Sequence, residues 1–172
     1  MTRTRLLQLG DAERLADLVQ RNRSYLAPWE PVRPERYFTL EGQREVVSES
    51  LDRYRDGFHV PHVVLDNAGV VVGRINLNNV VRGAFQSASV GYWVAEEAAG
   101  HGLATAAVAD MVHVAFMEQG LHRLEAGTVP DNIRSQRVLL HNGFVSFGLA
   151  PRYLSIAGRW QDHVLFQRLA DD

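Results

Sequence analysis

The sequence predicts a mixed α/β (α+β) fold of about seven strands and about four helices, and three observations carry that reading. Ser87–Val94 alternates, with Ala88, Val90, Tyr92 and Val94 on one face and Ser89, Gly91 and Trp93 on the other, the period of a half-buried strand. From Ala104 the spacing becomes helical, with Ala104, Val108, Met111, Val112 and Ala115 in one stripe and Ala106, Asp110 and His113 opposite it. A second strand-then-helix unit follows over residues 123–141, and turns at Asp66-Asn67-Ala68-Gly69 and Ala157-Gly158 mark two hairpins. The 172 residues suffice for one domain with a full hydrophobic core, so residues 1–172 are expected to form a single unit.

Taken in order, residues 2–9 read as a short first strand. Asp11 stands as an N-cap ahead of Ala12, Leu15, Leu18 and Val19, and Arg21 and Arg23 close this helix where positive charge suits its dipole. The run Asn22-Arg23-Ser24-Tyr25-Leu26-Ala27-Pro28-Trp29-Glu30-Pro31 carries a large aromatic where a plain linker would be polar, so Trp29 and Tyr25 either plug the core or wall a site. After Tyr37 and Phe38 the spacing predicts a helix over Leu40–Arg55, with Val47, Leu51 and Tyr54 on one face and Gly57 as its stop. Residues 58–65 and 70–78 form the first hairpin; in its second strand Gly73, Ile75 and Leu77 make an apolar face and Arg74, Asn76 and Asn78 a polar one. His59 and His62 fall on opposite faces of their strand, and no histidine shows a metal-ligand spacing.

Residues 80–86 read as a loop leading to the central strand. Beyond the central helix, Leu124, Ala126 and Thr128 share one face of a strand over 123–129. Pro130, Asp131 and Asn132 break that strand and cap a helix over Ile133–His141, which Asn142-Gly143 ends with Phe144 packing back. The last hairpin turns at Ala157-Gly158.

Composition narrows the chemistry. A formal charge of −2 gives no broad cationic surface, which argues against nonspecific nucleic-acid or membrane binding. With no Cys there is no disulfide framework, thiol nucleophile or Cys-based metal site. The opening residues contain no long apolar run, so neither a signal peptide nor a membrane span is expected and a cytoplasmic location is the default. All eighteen residues of the Lys+Arg total are Arg.

Between the central strand and helix lies Ala99-Gly100-His101-Gly102-Leu103-Ala104-Thr105. Small residues let the backbone approach a ligand, and the first free N–H groups of a helix point outward, an arrangement that suits phosphate. A Walker-type loop needs a Lys that this chain lacks, and pyridoxal-phosphate Schiff-base chemistry fails for the same reason. A dinucleotide fingerprint would need Gly where Thr105 stands.

In context, Gly91-Tyr92-Trp93-Val94, two acidic residues and Gly100-His101-Gly102-Leu103-Ala104-Thr105 resemble the acetyl-CoA motif of the GNAT N-acetyltransferases. Three further stretches resemble the RimJ/RimL-like ribosomal-protein N-terminal acetyltransferases: the 22–31 run, the Asn132-to-Ser135 pair at a helix start, and the Tyr153-to-Phe166 ending. The resemblance implies the GNAT fold, a mixed and mostly antiparallel twisted sheet with a splay between its two central strands. It implies acetyl-CoA as cosubstrate, with the pyrophosphate on Gly100, His101, Gly102, Leu103, Ala104 and Thr105 and the pantetheine arm along Trp93 and Val94. Asn132 would bind that arm and Ser135 reach the thiol, the plain alternatives being an N-cap and a solvated serine. Arg134 and Arg137 either meet nucleotide phosphates or stay on the surface. The family pattern opens the turn with Arg or Gln, and Ala99 removes that contact, which implies weaker cofactor binding.

The expected acceptor wall is Trp29, Tyr37, Phe38, Asn76 and Tyr92, the 22–31 run being the part of it that the resemblance implies, with Ser135 and Tyr92 as candidate catalytic residues and no metal. Where RimL-like enzymes have a Glu assigned as base, this chain has Val80 and Val81. Attack by an already neutral amine, a water held by Asn76 or Tyr92, or Glu30 as base remain open. The leading expectation is acetylation of a protein N-terminus. A small-molecule amine and a non-catalytic acetyl-CoA-binding module are the alternatives, and monomer and homodimer are both open.

Overall fold

The computed structural model describes residues 2–170. Seven strands, β1 (Thr4–Leu6), β2 (Val60–Leu65), β3 (Val71–Val81), β4 (Ser87–Val94), β5 (Arg123–Thr128), β6 (Val145–Ile156) and β7 (Arg159–Leu169), form one sheet in the order β1-β2-β3-β4-β5-β7-β6. Every pairing is antiparallel except β4 with β5. Among the described residues five α-helices flank it: α1 (Ala12–Arg21), α2 (Arg23–Leu26), α3 (Leu40–Arg55), α4 (Leu103–His113) and α5 (Ile133–His141). The fifth, beyond the four expected, is the four-residue α2 inside the Trp29 run.

The alternation of β4 splits the core in two. Ala88, Val90 and Val94 join Ile75, Leu77, Leu124 and the α4 stripe of Ala107, Val108 and Met111 on one face, with Leu139 of α5. On the other face Leu15 and Leu18 of α1 and Val47 of α3 cover Val63 and Val71, with Trp93 packed against them.

The parallel pairing of β4 with β5 lasts three residues, Ser87 with Arg123, Ala88 with Leu124 and Ser89 with Glu125. Beyond Ser89 the strands diverge. Ala95 donates its N–H to the Val72 carbonyl at 2.8 Å, and Val94 lies opposite Gly73. In an antiparallel ladder hydrogen-bonded pairs alternate, so residues 91, 93 and 95 bond to β3, and the backbone groups of Tyr92 and Val94 face the opening.

Several local expectations shift. The first strand is only Thr4–Leu6. β3 continues to Val81, past the expected end at 78, through an irregularity where Asn79 takes φ 51°. Asn tolerates this left-handed conformation, and the break in register hides the strand's continuation from the alternation pattern. Asp11 does not cap α1 with its side chain. Both its oxygens are held at 2.8 Å by Arg5, and Oδ2 also accepts from the Gln8 N–H, because an opposite charge six residues upstream competes successfully for them. The supposed polar face of β3 is largely covered, with Arg74 buried beneath α3.

The two histidines of the β2 region give a pH-dependent stability. Burial lowers His59 to about 4, with Arg53 and Arg74 adding to the effect, and burial lowers His62 to about 4 against partial opposition from Asp110. Folded, both stay neutral; unfolded, both titrate near 6.5. The unfolded chain therefore binds more protons between about pH 4 and 6.5, and stability is lost as pH falls through that window. Urea midpoints should be level from pH 7 to 8 and decline steadily from pH 6.5 to 4.5; a level profile down to 4.5 would contradict this assignment.

Candidate active site

The turn between β4 and α4 is held from a distance. Buried Asn22 accepts the Glu96 N–H on Oδ1 at 2.7 Å and donates from Nδ2 to the Leu18 carbonyl at 3.0 Å. After the short 3-10 turn Glu96–Ala98, Gly100 and Gly102 take φ of 80° and 75°, and a Cβ at either would meet open space. Gly102 is the N-cap of α4, no side chain caps the helix, and the bond from Ala106 N–H to the Gly102 carbonyl at 3.0 Å opens it. The N–H groups of Leu103, Ala104 and Thr105 thus have no intrahelical acceptor, and the positive end of the dipole lies among them. Such a terminus accepts a diphosphate without side-chain help.

A cleft of about 1130 Å³ runs from this turn along the splay to the start of α5. Trp93, Val94, Gly100, Gly102, Leu103, Ala104 and Thr105 line it on one side, and Asn132, Ser135 and Arg137 on the other. A smaller cavity of about 440 Å³ between α4 and α5 shares Gly102, Thr105, Arg137 and Val138 with it. His101 is exposed and lies outside both linings. Asn132 Oδ1 accepts the Ser135 N–H at 3.1 Å, so its carbonyl caps α5 and only its amide N–H₂ is left for a ligand.

Tyr92 and Ser135 meet across the splay. Their hydroxyls are 2.8 Å apart, and the tyrosine O–H also reaches the Ser135 carbonyl at 3.2 Å. Burial pushes the tyrosine up to about 12, so it stays protonated at working pH. If its proton goes to Ser135 Oγ, the serine proton is free for a third atom; if to the carbonyl, Ser135 can donate to the tyrosine oxygen.

Trp29 lines the same cleft, 42% exposed. Its segment is tied to the β6–β7 turn by the bond from Ala157 N–H to the Glu30 carbonyl at 3.0 Å. Glu30 itself is raised by burial, only partly offset by Arg33 with Oε2 3.9 Å away. Tyr37 and Asn76 are outside the cleft lining. The Tyr37 ring lies 4.7 Å beneath the Arg33 guanidinium and edge-on to Phe38, and Asn76 stands opposite Gly91 with its Oδ1 buried and unpartnered. Val80 is buried and Val81 exposed, so no carboxylate stands at these positions. Among the described residues no group of His, Cys, Asp or Glu gathers as a metal site, and no helix is long and apolar enough to cross a membrane.

The cleft also includes Tyr25, one of the two aromatics expected to plug the core or wall a site, and Leu26, Glu96, Asp131 and Val138, which the motifs did not single out. Tyr25 and Leu26 stand in the resembling 22–31 run, and that run's aromatic character was the available signal. Glu96 lies within the β4–α4 turn, and Val138 is on the second turn of α5, past the Asn132-to-Ser135 motif.

The family described as acetyltransferase (GNAT) domain matches residues 3–145. The chain is 35% identical over 162 residues to the [ribosomal protein uS5]-alanine N-acetyltransferase of Escherichia coli (strain K12), covering 94% of this chain and 84% of that one. Two solved structures superpose with TM-scores of 0.93. One is the ribosomal-protein-S5-alanine acetyltransferase of Vibrio fischeri, 36% identical, covering 98% of this chain and 93% of that one. The other is Mycobacterium smegmatis RimJ in complex with CoA-disulfide, 35% identical, covering 97% and 81%. A match running unbroken from β1 through the uncapped α4 terminus and α5 makes this chain a member of the GNAT acetyltransferase family, an N-acetyltransferase resembling RimJ and RimL.

Proposed function

We propose that this chain transfers acetyl from acetyl-CoA to the N-terminal α-amino group of a protein, of the ribosomal-protein type, by direct attack in a ternary complex within one domain. The observation that carries the reading is the splay, which places an uncapped helix terminus, outward-facing strand backbone and a bonded Tyr92–Ser135 pair along one cleft. Relatives named for ribosomal-protein substrates support the protein acceptor. The residues present fit the cosubstrate: the Leu103, Ala104 and Thr105 N–H groups with Arg137 suit its phosphates, and Asn132 and the Trp93–Val94 backbone suit its pantetheine arm. Acetyl-CoA supplies the acetyl thioester and a thiol leaving group.

The chain's own contributions follow. The Val94 N–H faces the opening, where a donor aimed at growing negative charge on a carbonyl oxygen is worth roughly 10²–10³ in rate. Ser135 Oγ would give its proton to sulfur as the C–S bond breaks, and Tyr92, held protonated by burial, would refill the serine and recover its own proton from the water that takes up the amine's. The acceptor amine forms the N–C bond in its neutral form, about a tenth of the population at pH 7 for an α-amine near pKa 8, and releases its extra proton to water.

The test is thiol release from acetyl-CoA with peptides bearing free Ser, Ala or Met N-termini, beside aminoglycosides and other small amines. Turnover on a peptide that stops when its N-terminus is blocked supports the reading. Turnover on small amines alone would replace it with the small-molecule one.

A further inference from the structure

We propose that Arg74, with Arg33 and Tyr37, forms a carboxylate subsite on the acceptor side, so that the preferred acceptor carries an acidic side chain just behind its reacting amine. The inference rests on the reading of the chain as a protein N-terminal acetyltransferase.

Arg74 leaves β3 on the face covered by α1 and α3 and is 6% exposed. Its guanidinium makes one hydrogen bond, Nη2 to Ser50 Oγ at 3.2 Å, and its Nε has no partner among the described residues. Nor does any described Asp or Glu form an ion pair with it. Asp11, the carboxylate that bears on it electrostatically, is already held at both oxygens by Arg5. Arg33 on the 30–38 segment adds a second positive charge beside Arg74, and neighbouring His59 stays neutral. Arg33 differs in being partly exposed and in having Glu30 Oε2 3.9 Å from its Nε, but that Nε also makes no hydrogen bond and the guanidinium stacks on Tyr37.

A buried cation without a counter-charge is costly, and proteins keep such groups where a ligand supplies the missing partner. Two guanidiniums with free donors, beside a tyrosine hydroxyl, suit a planar carboxylate. The place is also right. Arg74 lies directly opposite Trp93 of β4, and Trp93 lines the cleft, as does Trp29 on the segment that brings Arg33 and Tyr37. Adjacent strands are roughly 5 Å apart and an extended chain advances roughly 3.3 Å per residue, so the second or third acceptor residue can reach from the splay to Arg74.

The experiment compares two peptides identical except for Glu or Gln at the second and third positions, at saturating acetyl-CoA, with the unmodified protein and with Arg74→Met. The unmodified protein should favour the Glu peptide by about 10- to 100-fold in kcat/KM, carried by KM. Arg74→Met should erase that preference, leave kcat and the Gln-peptide KM within about twofold, and raise the unfolding midpoint, because an unpaired buried charge is removed. Equal KM values for both peptides with the unmodified protein, or a preference that survives in Arg74→Met, would overturn the subsite. The first comparison needs no variant, so misfolding cannot obscure it. Absence of turnover on either peptide would instead sink the N-terminal acetyltransferase reading on which the subsite depends.

Discussion

Replacing Ser135 with Ala should lower kcat by about 10²–10³ while leaving the KM for acetyl-CoA within a few-fold. A positioned proton donor contributes roughly 10²–10⁴ to such a transfer, and the lower part of that range is appropriate because a thiolate is a tolerable leaving group even without protonation. The KM should hold because the proposed phosphate grip lies elsewhere, on the uncapped backbone at the α4 terminus. Tyr92→Phe removes the hydroxyl 2.8 Å from Ser135 Oγ and should cost a similar factor. If the two act as one relay, the double variant should be little worse than either single one, since each already breaks the same path. Steady-state kinetics on the four proteins decides the matter. Multiplying losses would mean that Tyr92 and Ser135 act separately, and a near-normal kcat in Ser135→Ala would remove the serine from the chemistry.

Gly102→Asp should raise the KM for acetyl-CoA by about 100-fold or more with little change in thermal stability. The position has φ 75°, a conformation Asp tolerates at a cost of roughly 1–2 kcal/mol. Asp is also among the best N-cap residues, and its carboxylate would accept from the free N–H groups of the first α4 turn, returning roughly 1 kcal/mol. Those same N–H groups are the proposed phosphate cradle, so the cap occupies the site and adds like-charge repulsion. Isothermal titration with CoA, read beside the unfolding midpoint, separates the two effects. Unchanged CoA affinity would show that the phosphates bind elsewhere.

What the sequence revealed and concealed follows from the range of each interaction. The bounds of β4, α3 and α5 match the periodicity, because each is set by local alternation, a breaker or a cap: Gly57, Asn132 and Asn142-Gly143 do their work within a few residues. β3 was expected to end three residues early because Asn79 spends one residue in a left-handed bulge, and a period-two pattern read across a bulge looks like loop. Asp11 fits every rule for an N-cap except that Arg5 stands within reach, a contact that depends on how the chain turns between β1 and α1.

The site divides the same way. The Gly-rich turn and the Asn132-to-Ser135 spacing are local and legible. The Tyr92–Ser135 bond joins residues 43 apart and the Asn22–Glu96 bond residues 74 apart, and no spacing within the sequence encodes either. Alternation with apolar neighbours puts Arg74 on a polar strand face; what buries it is a helix encoded some twenty residues earlier.

If Trp29 walls the acceptor and the α4 terminus holds the phosphates, as proposed, the Asn22–Glu96 bond makes the two substrates thermodynamic partners. Asn22 opens the segment that carries Trp29, and Glu96 opens the turn that ends in the phosphate cradle, so ordering either end favours order at the other. Linkage is reciprocal: whatever factor acetyl-CoA adds to acceptor affinity, the acceptor must add to acetyl-CoA affinity. A single net hydrogen bond is worth roughly 1 kcal/mol, which sets the coupling near fivefold. Asn22→Ala should bring the two affinities to independence, and titrating each ligand in the presence and absence of the other would reveal a coupling that survives the substitution if some other contact carries it.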